Sequence, residues 1–567
     1  MKKFKFFITS IFVIIIFSLN NTSASIKKLT FSDNKISNYF LGVVLLNENK
    51  SGAALKHFNK VRDLQNTHFK LNQNLTRTFV NLGKIEEAQK YLKNLSDDGA
   101  DFFEANLLLG LYEQQRGNFK DSESYFMKLN FPVEGNLYYE NLLGNILTMW
   151  SKANQGKESE AQKYLEVIPE KYEIIKTLQR PLLSCFFKKN DTEVGFEKFM
   201  NSETVNFARY RYLYLNYLVR NKKFDKAKIV IEDAKNQYEN NLLVKQTFED
   251  FKDKKFSKIE NTFNCKIVDH NLSEVFYIMS AVFAEDQKNY KISNFYLSLS
   301  KSFNSKFFHN KVLKVENFIS TKNYDKAIKL LEELSKEGKY YKWFSIKEQT
   351  FIKMEKKEFE NALNFLEKES DLLKYKDNQI LFEIAGIYMD QEEYEKAIFY
   401  YSKILENSVK DKIFLARIYD RRGACYERSG KWEKSEKDLK RSLDLNPDQA
   451  YVLNYLAYSW LEQNKKIDEA YEMLKKANNL KKDNPYILDS LGWALNLKGN
   501  YIDAKFYIEE ALTYLPSDPV ISDHYGDILW KLGKKIQARY FWKYALVHED
   551  TTEEKIKIIK NKILKGI

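Results

Sequence analysis

The residues of this 567-residue chain that could do chemistry are few. Six histidines (His57, His68, His270, His309, His524 and His548) are scattered, and none has a partner at the spacing of a metal site or an HExxH motif. His524 lies between Asp523 and Asp527, a grouping that could serve acid–base or metal chemistry. The preferred expectation is plainer: a surface-facing helix start, with Asp523 near the positive helix end. Cys185, Cys265 and Cys425 are odd in number, widely spaced and free of any CxxC. Neither a zinc knuckle nor a disulfide framework is therefore expected, and the thiols read as buried structural groups. No phosphate-cradling GxxxxGK[ST], no GxGxxG and no nucleophile-bearing GxSxG occurs. The expectation is a non-enzyme with no cofactor, no metal and no small-molecule substrate. A hydrolase using His524 is the third-ranked reading.

With no catalytic constellation, function must come from surface, and the elements that shape that surface come next. Only 7 Pro and 19 Gly are present, which favours helices over turn-rich architectures. The net charge of +13 is mostly lysine interleaved with glutamate, as in KIEEAQKYLKNL and EKSEKDLKRSL. Such interleaving makes solvated helix faces with i,i+4 pairs rather than a nucleic-acid footprint, so no nucleic-acid partner is expected.

DSLGWALNLKGN and DHYGDILWKLGK share one frame and start 34 residues apart. Gly492 and Gly526, Gly499 and Gly533, Ala504 and Ala538, and Ala511 and Ala545 keep the same interval. Small residues recur because paired helices must approach closely, and a larger side chain there would overpack at a cost of roughly 1–3 kcal/mol. The register runs back through Ala470, Ser435, Ala397, Ala362, Ala327, Ser293, Ile259, Ala227, Gly195, Ala161, Ser122, Ala88 and Ala54. The clearest irregularity is read as an insertion from Met149 to Gly156.

A period of 34 with these residue types resembles the tetratricopeptide-repeat family. In that family's frame Gly492 takes the small site of the first helix, Tyr501 the aromatic site, Ala504 and Ala511 the alanine sites, and Pro516 the closing site. The resemblance implies an all-α fold, an α–α superhelical solenoid of about fifteen helix pairs. The N-terminal MKKFKFFITSIFVIIIFSLNNTSAS has the parts of a secretory signal peptide. The expected segments are a signal peptide at 1–25, a degenerate array at 26–310, a regular array at 311–549 and a capping helix at 550–567. The cap, TTEEKIKIIKNKILKGI with Thr551 or Thr552 at its start, would cover the last repeat.

By the same resemblance, set positions of each first helix face a concave groove. They place Arg417, Asp420 and Arg428 there, then Tyr451, Asn454, Tyr458 and Glu462. Tyr486, Asp489, Trp493 and Asn496 follow, then Asp523, Asp527 and Trp530. Aromatic anchors among polar neighbours suit a protein or peptide partner. The aspartates favour a basic or neutral peptide over a carboxylate terminus. DSLGW, DHxGDxLW and the W-x-x-A-L ending, within Tyr451–Leu546, also resemble repeat proteins of the proteobacterial envelope, with Tyr525 a departure. The implied function is a non-catalytic scaffold in the periplasm, compatible with peripheral association with an outer-membrane complex. The alternative is a regulator of envelope assembly held at the inner membrane by an uncleaved N-terminal anchor.

Overall fold

The computed structural model describes residues 35–66, 68–96, 98–129, 142–200, 208–285, 288–373, 377–546 and 553–567. The expected signal peptide and the threonines expected to start the capping helix lie outside them. Among the described residues there are α-helices, three short 3-10 turns and no strand. The helices fall into fifteen consecutive pairs, here called repeats 1 to 15. They run from Lys35–Asn47 with Ser51–Asn59 to Pro519–Lys531 with Lys535–Leu546, and one further helix, Glu553–Lys565, follows.

Every residue of the 34-residue register lies in the second helix of its pair. All of them except Gly195 are at most 2 % exposed. Each first-to-second turn is closed by a residue in the left-handed region. In six repeats it is glycine, such as Gly499 at φ 79° and Gly533 at φ 77°; in the other nine it is Lys, Asn or Glu, such as Lys222 at φ 59°. A side chain there costs roughly 1 kcal/mol that glycine avoids, which is why glycine alone is an incomplete guide to these turns. Helix starts follow capping rules. Asn484 and Asp518 accept hydrogen bonds from the first-turn amides, and Pro485 and Pro519 open their helices.

The insertion is not at Met149–Gly156. Leu142–Asn154 is an unbroken helix and Gly156 is its left-handed turn residue. The extra residues fall between Phe119–Lys128 and Leu142, before the first helix of repeat 4.

The chain divides into two compact units, residues 1–372 and 373–567. Within the first, helices distant in sequence pack together. Phe69–Asn81 meets Tyr290–Phe303, Leu142–Asn154 meets Val268–Glu285, and Leu242–Lys252 meets Lys339–Glu355. Arg209 forms a two-pronged pair with Glu274 (2.7 and 2.8 Å) while Tyr277 and Phe307 bracket its guanidinium. Cys185 and Cys265 form a disulfide across 80 residues, with Cα atoms 5.9 Å apart. This corrects the expectation of free thiols: the two are remote in sequence, so no local spacing announced the pair. Cys425 is free and buried.

In the second unit helices pack on others one or two places along the chain. Gly526 shows why the small site recurs. A Cβ there would lie 2.4 Å from the Trp542 indole.

Candidate partner-binding cleft of the C-terminal unit

Asp489, Asp523 and Asp527 of repeats 14 and 15 are each met by a basic side chain two helices further along the chain. Asp489 Oδ1 is 2.9 Å from Nδ1 of His524, whose ring stacks on Trp493 at 4.3 Å. His524 is buried, not surface-facing, and Asp523 sits mid-helix while Asp518 caps the start. That overturns the helix-start reading of both residues. Burial alone would lower the His524 pKa, but the carboxylates of Asp489, Asp523 and Asp527 outweigh it and raise it.

Repeat 15 has no successor, and the final helix supplies the cation. Lys562 Nζ donates to both oxygens of Asp523 and to Asp527 Oδ2, all at 2.9 Å. Trp542 Nε1 donates to Asp527 Oδ1 at 2.9 Å. Burial pushes the Asp527 carboxyl up, against Lys562. Ile559 is buried in the core of the last repeat, and Gly566 lies against the Trp530 ring. The terminal helix thus covers repeat 15, and it does so over Asp523, Asp527 and Trp530, three residues expected to line an open groove.

Asp420 of repeat 12 differs. Its nearest cation is the adjacent Arg421, at 4.0 Å, too far for a hydrogen bond. Burial raises its carboxyl pKa even with Arg421 and Arg417 nearby. Asp420 opens on a cleft of about 880 Å³ between repeats 11, 12 and 13, lined also by Asp390, Tyr394, Arg428, Tyr451 and Tyr455. Tyr451 is 57 % exposed.

The remaining expected residues divide. Tyr486 is 57 % exposed. Arg417 is exposed and lies over the Phe382 ring at 5.1 Å. Asn454, Tyr458, Trp493 and Asn496 are half-buried. Asn454 Oδ1, Trp493 Nε1 and Asn496 Oδ1 are shielded from solvent and find no hydrogen-bond partner among the described residues.

Residues 75–129 and 377–448 each match the family model described as tetratricopeptide repeat. Those two stretches are tetratricopeptide repeats, and the fifteen helix pairs keep one register with them. No curated protein sequence matches the chain. Among solved structures it is similar to a tetratricopeptide repeat protein from Parabacteroides merdae. That likeness has 16 % identity and a TM-score of 0.33, and covers 39 % of this chain and 85 % of the other. PilF of Pseudomonas aeruginosa is similar at 18 % identity and TM-score 0.28, over 33 % of this chain and 85 % of that one. PilW, described as a widely conserved type IV pilus biogenesis factor, gives 17 %, 0.30, 33 % and 85 %.

The tetratricopeptide frame also accounts for what sequence reasoning missed. Asp390 holds in repeat 11 the place that Arg428 holds in repeat 12, so carrying the groove positions one repeat further back would have found it. His524 stands one place after Asp523, outside the groove positions, and its contacts with Asp489 and Trp493 show its place.

Proposed function

We propose that this repeat protein is a non-catalytic scaffold whose C-terminal unit takes an extended segment of a partner protein in the cleft of repeats 11–13. The observation that carries the reading is Asp420. Asp489 has His524, and Asp523 and Asp527 have Lys562, whereas Asp420 faces the cleft with no hydrogen-bonded cation among the described residues. A lysine or arginine of the partner completes the same pattern, and Tyr394, Tyr451 and Tyr455 offer flat, amphipathic contact beside it. The groove residues Arg417, Asn454, Tyr458, Tyr486, Trp493 and Asn496 extend this surface toward repeat 14.

Export to the periplasm is the reading of location that two features support. The N-terminal segment has a basic start and an apolar run, and the Cys185–Cys265 disulfide suits an oxidising compartment. Among the described residues no helix is long and apolar enough to cross a membrane. Sequencing the mature N-terminus separates this reading from the anchored regulator: a start at Ser25 or Ile26 supports export, and an intact Met1 supports the anchor.

The binding reading is tested by selecting a random peptide library on the full chain. Enriched peptides should carry Lys or Arg, and Asp420→Asn should abolish the enrichment. Enrichment of acidic peptides, or selection indifferent to Asp420→Asn, would remove the cleft from the account.

A further inference from the structure

The first unit carries a second cleft of different chemistry. Repeat 1 meets repeats 8 and 9 through their turns. Lys291 Nζ donates to Asn47 Oδ1 at 2.9 Å, Asn323 Nδ2 to the Glu48 carbonyl at 3.5 Å, and Lys326 to the Asn49 carbonyl. These contacts leave a cleft of about 610 Å³ along the seam, walled by Lys50, Lys288, Lys291 and Lys322 and by one acid, Glu48. Glu48 is already paired with Lys50 at 2.7 Å.

Lys288, Lys291 and Lys322 therefore bring three positive charges to one cleft with no carboxylate paired to them among the described residues. Elsewhere in the chain lysines are commonly paired, as Lys152 is with Glu123 and Glu160 and Lys176 with Glu166. Two further facts sharpen the contrast. Lys291 keeps an exposed side chain, and partial burial together with nearby Arg77 lowers its pKa. The rest of the wall is also polar, with side-chain amides from Asn289 and Asn323. Three lysines on one cleft, Lys288 from the turn and Lys291 from the start of the second helix in repeat 8 and Lys322 from the turn of repeat 9, match a multiply charged anion, and lysine reads phosphate as a compact point charge. The volume falls within the range of small-molecule sites and exceeds what one phosphate fills.

We infer that this seam is a binding site for a phosphorylated small molecule, which Lys288, Lys291 and Lys322 of repeats 8 and 9 hold by charge against the turn at residues 47–50 of repeat 1. The site is separate from the partner-binding cleft, and neither reading depends on the other.

The test is calorimetric titration of the full chain with inorganic pyrophosphate at physiological ionic strength. Lys288→Gln with Lys322→Gln should weaken binding roughly fivefold to twentyfold, the loss of two partly exposed charge contacts. The exposed pair Lys90→Gln with Lys228→Gln should leave it unchanged, and matching helical circular dichroism would show that both variants fold. Hydrogen exchange supplies a readout that general attraction to lysines would not move. Pyrophosphate should slow exchange in Lys35–Asn59, because the ligand ties repeat 1 to its neighbours. Absence of saturable binding, equal weakening by the two double variants, or unchanged exchange in repeat 1 would each overturn the inference.

Discussion

The two units use one repeat in opposite ways. In the first, helices from repeats far apart in sequence meet, and Arg209, Glu274, Tyr277 and Phe307 join in one cluster of contacts. In the second, contacts stay between neighbours, and the inner face remains a surface with a cleft at Asp420. The difference teaches that the repeat alone does not make a groove available. A charge such as Asp489 or Asp523 is structural where a later helix satisfies it, whereas Asp420 has no hydrogen-bonded cation among the described residues.

The comparison can be broken most forcefully in the first unit. Glu274→Ala leaves Arg209 buried without its partner and should cost about 3–5 kcal/mol. Hydrogen exchange should show the loss in repeats 6 to 9, with the second unit unaffected. Loss of protection spread evenly over both units would mean that the two do not differ as described. Replacing Cys185 and Cys265 by serine opens an 80-residue loop and should cost about 2–5 kcal/mol, read as a lowered denaturation midpoint of the same unit.

In the second unit, Gly526→Ala forces a methyl onto the Trp542 indole and should cost about 1–3 kcal/mol by urea denaturation. The smallest effect is a pH dependence. The folded-state pKa of His524 is raised above 6.5, so its contribution to stability is complete below that value and is lost as pH climbs through the folded value. Melting temperature of the second unit should therefore fall as pH rises above 6.5 through the raised folded pKa, and His524→Asn should flatten the slope. A slope unchanged by the substitution would show that the Asp489 pair does not stabilise the repeat.

Much of the fold was legible because it rests on local spacing. Ala54 to Ala538 mark fifteen second helices, since a small residue is needed wherever two helices touch. What was not legible depended on distance. Cys185 and Cys265 are brought together only by stacking several repeats, and the first unit's closure left no trace in the period. The groove positions pick out residues of repeats 12 to 15, but the repeat pattern does not tell which of them are already engaged. Lys562, which occupies Asp523 and Asp527, lies on a helix outside the repeat, and His524 sits beside a groove position rather than on one. The turn at Gly156 was mistaken for an insertion because the added residues shift the register without changing the turn itself.

The central claim is that the cleft at Asp420 is where the scaffold takes its partner. The most direct measurement is site-specific photo-crosslinking in cells, with the reactive residue at Tyr451 in the cleft or at Ile502, 75 % exposed on a second helix. The account predicts an adduct from Tyr451 that disappears with Asp420→Arg, and none of that mass from Ile502. An adduct from Tyr451 that survives Asp420→Arg, or the same adduct formed only from Ile502, would contradict it.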